Sequence, residues 1–201
     1  MTSDTSRRRF LLTGLAVVGA VVVPYRLHAL TEQRARTLVD QVVGEINRVI
    51  ASGKSLSAMI NEFEGIFTRH ADVNIIARST LGADARRASS AQLRAYTEAF
   101  RGYVARKYGK RFNEFRGGRI EVDSVKQVKS WHEVKSTAYL PGESPFEVSF
   151  LVSDRSGQDK FFDMVIEGIS LRLSERTEIG AMLDRRNGDI NALITDLRKA
   201  G

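Results

Sequence analysis

A single change of apolar period, near the middle of the chain, restricts the possible folds more than any other feature. Leu38, Val42, Ile46, Val49 and Ile50 fall on one stripe of a helix over 32–51. Leu56, Met59, Ile60, Phe63, Ile66 and Phe67 do the same on a second helix, and Leu93, Tyr96, Phe100, Tyr103, Val104 and Tyr108 on a later one. Beyond Gly117 and Gly118 the period drops to two: Phe146, Val148, Phe150 and Val152 alternate with Glu147, Ser149, Leu151 and Ser153. A sheet with one apolar face must be covered, and the helices supply the cover. The class is therefore α+β, with the helices first and the sheet after them.

Local signals set the boundaries. Gly53 stops the first helix, Ser55 caps the second and Asp72 caps a short third one carrying Ile76 and Leu81. Ser89 with Gln92 forms a capping box for the fourth. Strands are expected over 120–128, 131–140, 146–153 and 160–167, joined by turn chemistry in PGES at 141–144 and RSGQD at 155–159. Such short links imply an antiparallel meander of four strands, curved against helices. Two short helices, over 175–186 and 190–199, close the chain, the second capped by Asp189 after an Asn-Gly turn. In FDMVIEGISLRL at 162–173 the apolar set moves from even positions (Phe162, Met164, Ile166) to odd ones (Ile169, Leu171, Leu173). The expectation is a bulge at Gly168 around which the last strand bends.

The first 29 residues carry a different signal. SRRRF leads into an apolar stretch from Phe10 to Val23 that is too short to span a membrane. Pro24 ends it, Ala29 offers a cleavage point, and Arg7 and Arg8 followed by Phe10 and Leu11 resemble a twin-arginine export motif. The reading is a cleavable leader over 1–29, a mature domain over 30–201 and a periplasmic address, with a plain secretory signal or an uncleaved anchor as alternatives. The leader removes a net +3 of the formal +7, so the mature part keeps +4. That modest charge and the expected address argue against nucleic acid as a partner.

Chemistry is scarce. With no cysteine, disulfides, thiolate metal sites and thiol catalysis are all excluded. The mature part has two histidines, His70 and His132, in no metal-ligand spacing, so neither a metal site nor a cofactor is expected. GISLR at 168–172 approaches the G-x-S-x-G nucleophile elbow, but Arg172 stands where the last glycine should be. No catalytic residue is assigned; a small hydrolase using Ser170 or His132 stays as an alternative. Two sets remain. Tyr96, Phe100, Tyr103, Tyr108, Phe112 and Phe115 make an aromatic wall, which reads as filled core on composition alone. Arg101, Arg106, Lys107, Lys110, Arg111, Arg116 and Arg119 form a basic set, either a solvated face or an attractor of anionic headgroups or an acidic partner.

Four segments in order, FEGIFTRHADVNIIARSTLG at 63–82, SSAQLRAYTEAFRGYVARKYG at 89–109, FDMVIEGISLRLSERTEIGAML at 162–183 and NGDINALITDLRK at 187–199, together resemble the MlaC family. These are periplasmic lipid-binding components of an ABC-linked system that maintains outer-membrane lipid asymmetry. The resemblance implies an NTF2-like fold with an acyl-chain cavity between sheet and helices, and no enzymatic activity. It implies phospholipid as cargo, or a hopanoid-like lipid if the chain falls in a hopanoid-associated branch. The implied partners are the lipid-binding component of an inner-membrane ABC transporter and an outer-membrane lipoprotein complex. Family motifs approach the cavity at Tyr108, in KYG, and at Ile169, in EGIS. Phe146, Val148, Phe150, Met164 and Ile166 join them by strand parity, Phe100 and Val104 by helical spacing, and Tyr96 as part of the aromatic wall. An adaptor with a filled core stays open beside the carrier reading.

Overall fold

The computed structural model describes residues 29–201; the expected leader lies outside them except for Ala29, as do the side chains of Phe112 and Asn113. Four helices come first: α1 (Glu32–Ala51), α2 (Leu56–His70), α3 (Val73–Leu81) and α4 (Ser90–Gly109). Each begins at a side chain that accepts a free amide of the first turn. Thr31 takes Arg34 N–H, Ser55 takes Ala58 N–H and Asp72 Oδ1 takes Ile75 N–H at 3.1 Å. The box at Ser89 and Gln92 closes in both directions, at 3.1 and 3.0 Å.

The sheet follows as β1 (Arg119–Val128), β2 (Trp131–Tyr139), β3 (Phe146–Ser153), β4 (Lys160–Ile166) and β5 (Ile169–Ser170). The strands pair antiparallel in chain order. Among the described residues there are thus five strands, where the alternation suggested four. Glu167 and Gly168 both have left-handed φ values, 48° and 82°, which is the backbone of a two-residue hairpin turn. The chain therefore reverses at Gly168 instead of bending there, and Ile166 pairs directly with Ile169. The helix α5 (Leu171–Asp184) starts four residues earlier than expected, because Ser170 accepts Leu173 N–H at 3.1 Å and caps it. A last helix, α6 (Ile190–Leu197), is capped by Asp189.

Two bulges do occur in the sheet, at other places. One leaves Asp123 unpaired in β1, and the other leaves Phe162 unpaired in β4. The second puts Phe161 in the core on the face that Met164 and Ile166 share, while Phe162 meets Trp131 edge-to-face at 6.0 Å on the opposite face.

One helix covers the apolar face and also closes the open edge of the sheet. α1 packs on β1 and reaches β2 and β3, burying Leu38, Val39, Val42, Val43 and Ile46. Its Asn47 binds both the amide and the carbonyl of Ile120 at 2.9 Å, and Arg36 binds the carbonyls of Val122 and Asp123. Unpaired edge groups that would invite another strand are thereby satisfied. Phe63, Phe67, Phe161 and Phe150 form a chain of rings, with centroids 5.7–6.3 Å apart, that joins α2 to the sheet. α4 packs chiefly on α2, α3 and α6. It forms a further layer behind the first helices, so the cover of the sheet expected from the helices comes chiefly from α1.

Candidate functional site

The inner face of the sheet is sealed at one end and open at the other. On β3, Val152, Phe150 and Val148 are buried, while Phe146 is only half-buried. On β4, Phe161 is buried while Met164 and Ile166 are half-buried, and the facing β1 residues Ile120, Val122 and Val125 are half-buried as well. Cross-strand partners share a face, so these side chains form one surface: Ile120 beside Ala138 and Phe146, Val122 beside Ser136, Val148 and Ile166. From the helices, Ile60, Tyr108 and Phe115 add half-buried apolar surface packed against the same core. Apolar groups in this state lose less water than they could, and further burial would stabilise them.

A polar seam joins α4 to α5, the helix that packs on β4 and β5. Tyr103 donates to Glu178 at 2.8 Å, and Lys107 donates to Tyr103 Oη at 3.1 Å, to Glu175 at 2.7 Å and to Glu178. Tyr108 donates to the same Glu175 oxygen. Burial, and then the nearby carboxylates, push the Tyr103 and Tyr108 hydroxyls far above the usual tyrosine range; burial alone is the main cause at Tyr96, which pairs with Thr80. Burial works against the Lys107 ammonium, but Glu175 and Glu178 outweigh it and hold its pKa above the ordinary value. The Lys107 hydrogen bond in turn lowers Glu178.

The ten residues expected at a lipid site fall into three groups. Tyr108, Phe146, Met164 and Ile166 are half-buried, the last three on the inner face of the sheet. Tyr96, Phe100, Val104, Val148 and Phe150 are buried, the first three within the helical layer. Ile169 is 62% exposed, at the tip of the last hairpin, with Leu173 at 52% beside it in sequence. Ser170 is engaged structurally: its hydroxyl donates to Asp163 at 2.6 Å and caps α5. His132 is buried on the inner face of β2, and His70 pairs with Glu45 at 3.0 Å. Among the described residues no group of three or more His, Asp or Glu is placed to hold a metal ion, and no helix is long and apolar enough to cross a membrane. A separate open cleft of about 550 Å³, near the end where Val152 and Phe161 seal the sheet, is mostly polar, with Asp72, Arg94, Arg101 and Lys160 in its lining.

The sequence reading missed Glu175. Its signal was available: Glu175, Ile179, Met182 and Leu183 lie on one helical stripe, so the carboxylate stands where an apolar residue belongs.

The family model described as MlaC protein matches residues 36–199. The chain belongs to the MlaC family. As a MlaC protein it also has a counterpart among solved structures, a phospholipid-binding protein from Ralstonia solanacearum determined in complex with a phospholipid. The two share 19% sequence identity, and the alignment covers 85% of this chain and 96% of the other with a TM-score of 0.68. At that identity the likeness establishes a common fold. No curated protein matches this MlaC chain significantly.

Proposed function

We propose that the chain is a non-enzymatic lipid carrier that takes the acyl chains of a phospholipid, or the body of a hopanoid-like lipid, between sheet and helices. The observation that carries this reading is the inner face that is sealed at Val152 and half-open at Phe146, Met164 and Ile166. Family membership and a structural counterpart that holds a phospholipid support it. Tyr108, Phe146, Met164 and Ile166 form the entrance. Val148 and Phe150, with Tyr96, Phe100 and Val104 behind them, line the path as cargo moves the wall apart, and Ile169 stands on the rim.

The physics suits a shuttle across water. Each methylene withdrawn from water is worth about 0.8 kcal/mol, so two chains of roughly 14 methylenes represent about 20 kcal/mol. A free lipid faces that cost in the periplasm, and a protein wall removes it. Release then needs another apolar conduit. The carrier reading therefore includes the lipid-binding component of an inner-membrane ABC transporter and an outer-membrane lipoprotein complex as partners, with a cleaved twin-arginine-like leader giving the address.

Sedimentation of the mature protein from lipid vesicles is the test. The carrier leaves the vesicles with lipid bound and delivers it to a second vesicle population. A protein that remains lipid-free after incubation has some other function.

A further inference from the structure

The apolar inner face of the sheet carries one hydroxyl that nothing in the chain accounts for. Ser136 lies on β2 between Val122 on β1 and Val148 on β3, and Ile166 on β4 completes the same rung. Ser136 is fully buried, and its Oγ has no hydrogen-bond partner among the described residues. A buried hydroxyl left unpaired costs free energy that an alanine in its place would not, so the missing partner needs an explanation.

The surroundings cannot supply it. A serine Oγ is one bond from Cβ, and the register puts that Cβ on the inner face, so the hydroxyl lies on this face too. Val134 and Ala138 flank it along β2, with the two valines on either side. α1, the helix that packs on β1, β2 and β3, buries only apolar side chains.

Position and charge say what would fit. Val122 and Ile166, the two ends of the rung, are only half-buried. One rung further out, Ile120 and Phe146 beside Ala138 are half-buried as well, so Ser136 stands two residues, about 7 Å of strand, inside that edge. Its own rung and the one on either side carry no charged side chain, so a phosphate or an ammonium would be stranded there. A neutral acceptor would not. In a diacyl phospholipid the ester carbonyls lie between the charged headgroup and the acyl chains. With the headgroup left in water, an ester is the first polar group to pass inward.

Building on the carrier reading, we infer that Ser136 Oγ donates its proton to an ester carbonyl of the cargo. The chain then selects ester-linked lipids over ether-linked lipids of the same headgroup and chains, which have no carbonyl at that depth.

The experiment offers the wild-type protein vesicles made of equal parts dioleoyl-phosphatidylcholine and its di-O-oleyl ether analogue, and reads the bound species by native mass spectrometry. The shared headgroup removes any headgroup preference from the comparison. The wild type is expected to hold the ester lipid in excess by about fivefold, the size of one neutral hydrogen bond. Ser136→Ala should bring the ratio to about one, while the unfolding midpoint of the lipid-free protein holds or rises. Equal uptake by the wild type, or a preference retained by Ser136→Ala, overturns the inference while leaving the carrier reading intact. A lowered midpoint, or a variant that does not fold, shows that the hydroxyl already has a partner within the fold and overturns it too. Uptake of neither lipid overturns both readings.

Discussion

Ile166 and Ile169 face each other across the last rung of the sheet, yet Ile166 is half-buried and Ile169 is 62% exposed. The β4–β5 hairpin thus leaves one isoleucine against the inner face of the sheet and the other in solvent. Ile169→Ser should leave stability within about 0.5 kcal/mol of wild type, as an exposed substitution does. On the carrier reading, Ile166→Trp should block lipid uptake from vesicles without loss of cooperative unfolding, because Ile166 is only half-buried on the inner face. If the wall were filled core, the same tryptophan would overpack it and cost about 1–3 kcal/mol. Chemical denaturation of the two variants separates these cases.

Glycine substitutions should divide by backbone conformation. An added Cβ meets nothing within 4 Å at Gly168 or at Gly44, so space does not distinguish them. Gly168 has φ of +82°, and Gly168→Ala should destabilise by about 1–2 kcal/mol. Gly44 lies inside α1, and Gly44→Ala should stabilise by about 0.5–1 kcal/mol. Denaturation midpoints give both signs.

These two glycines also illustrate what was legible in the sequence. Four helix starts were, because Ser55, Asp72, Ser89 and Asp189 act within three residues of their own positions, whereas the start of α5 at Ser170 was hidden inside an apolar alternation. The reversal at Gly168 was not, since a phase change fits a bulge or a hairpin equally well. It took Glu167, a non-glycine in the left-handed region, to decide between them. The bulges at Asp123 and Phe162 were hidden for a related reason: each depends on the register of the neighbouring strand. Strand parity also put Phe146, Met164 and Ile166 on one face, as the pairing shows. It could not find the seam, where Lys107 on α4 and Glu175 on α5 meet across 68 residues of chain.

The clamp on β1 should matter to stability. Asn47→Ala removes two hydrogen bonds to Ile120 and leaves edge groups without partners. The expected loss is about 2 kcal/mol, or about 4–8 °C in Tm. Calorimetry of the variant checks it.

The seam should loosen in alkali. Tyr103, Tyr108 and Lys107 all have pKa values raised in the folded chain, above the ordinary 10.0 of a tyrosine and 10.5 of a lysine. Each holds its proton more tightly when folded, so its contribution is complete below those values and is lost as pH rises past them. Tm should begin to fall near pH 10 and continue downward, and Lys107→Met should flatten part of that slope. A Tm that stays level to pH 12 would contradict this.

The central claim is that the half-open face between Phe146, Met164 and Ile166 receives lipid, and the mass of the intact protein tests it most directly. Native mass spectrometry of the mature chain purified from its own cells should show one lipid bound per protein, absent from the Ile166→Trp variant. Wild-type protein at its bare mass, both as purified and after incubation with vesicles, would contradict the account.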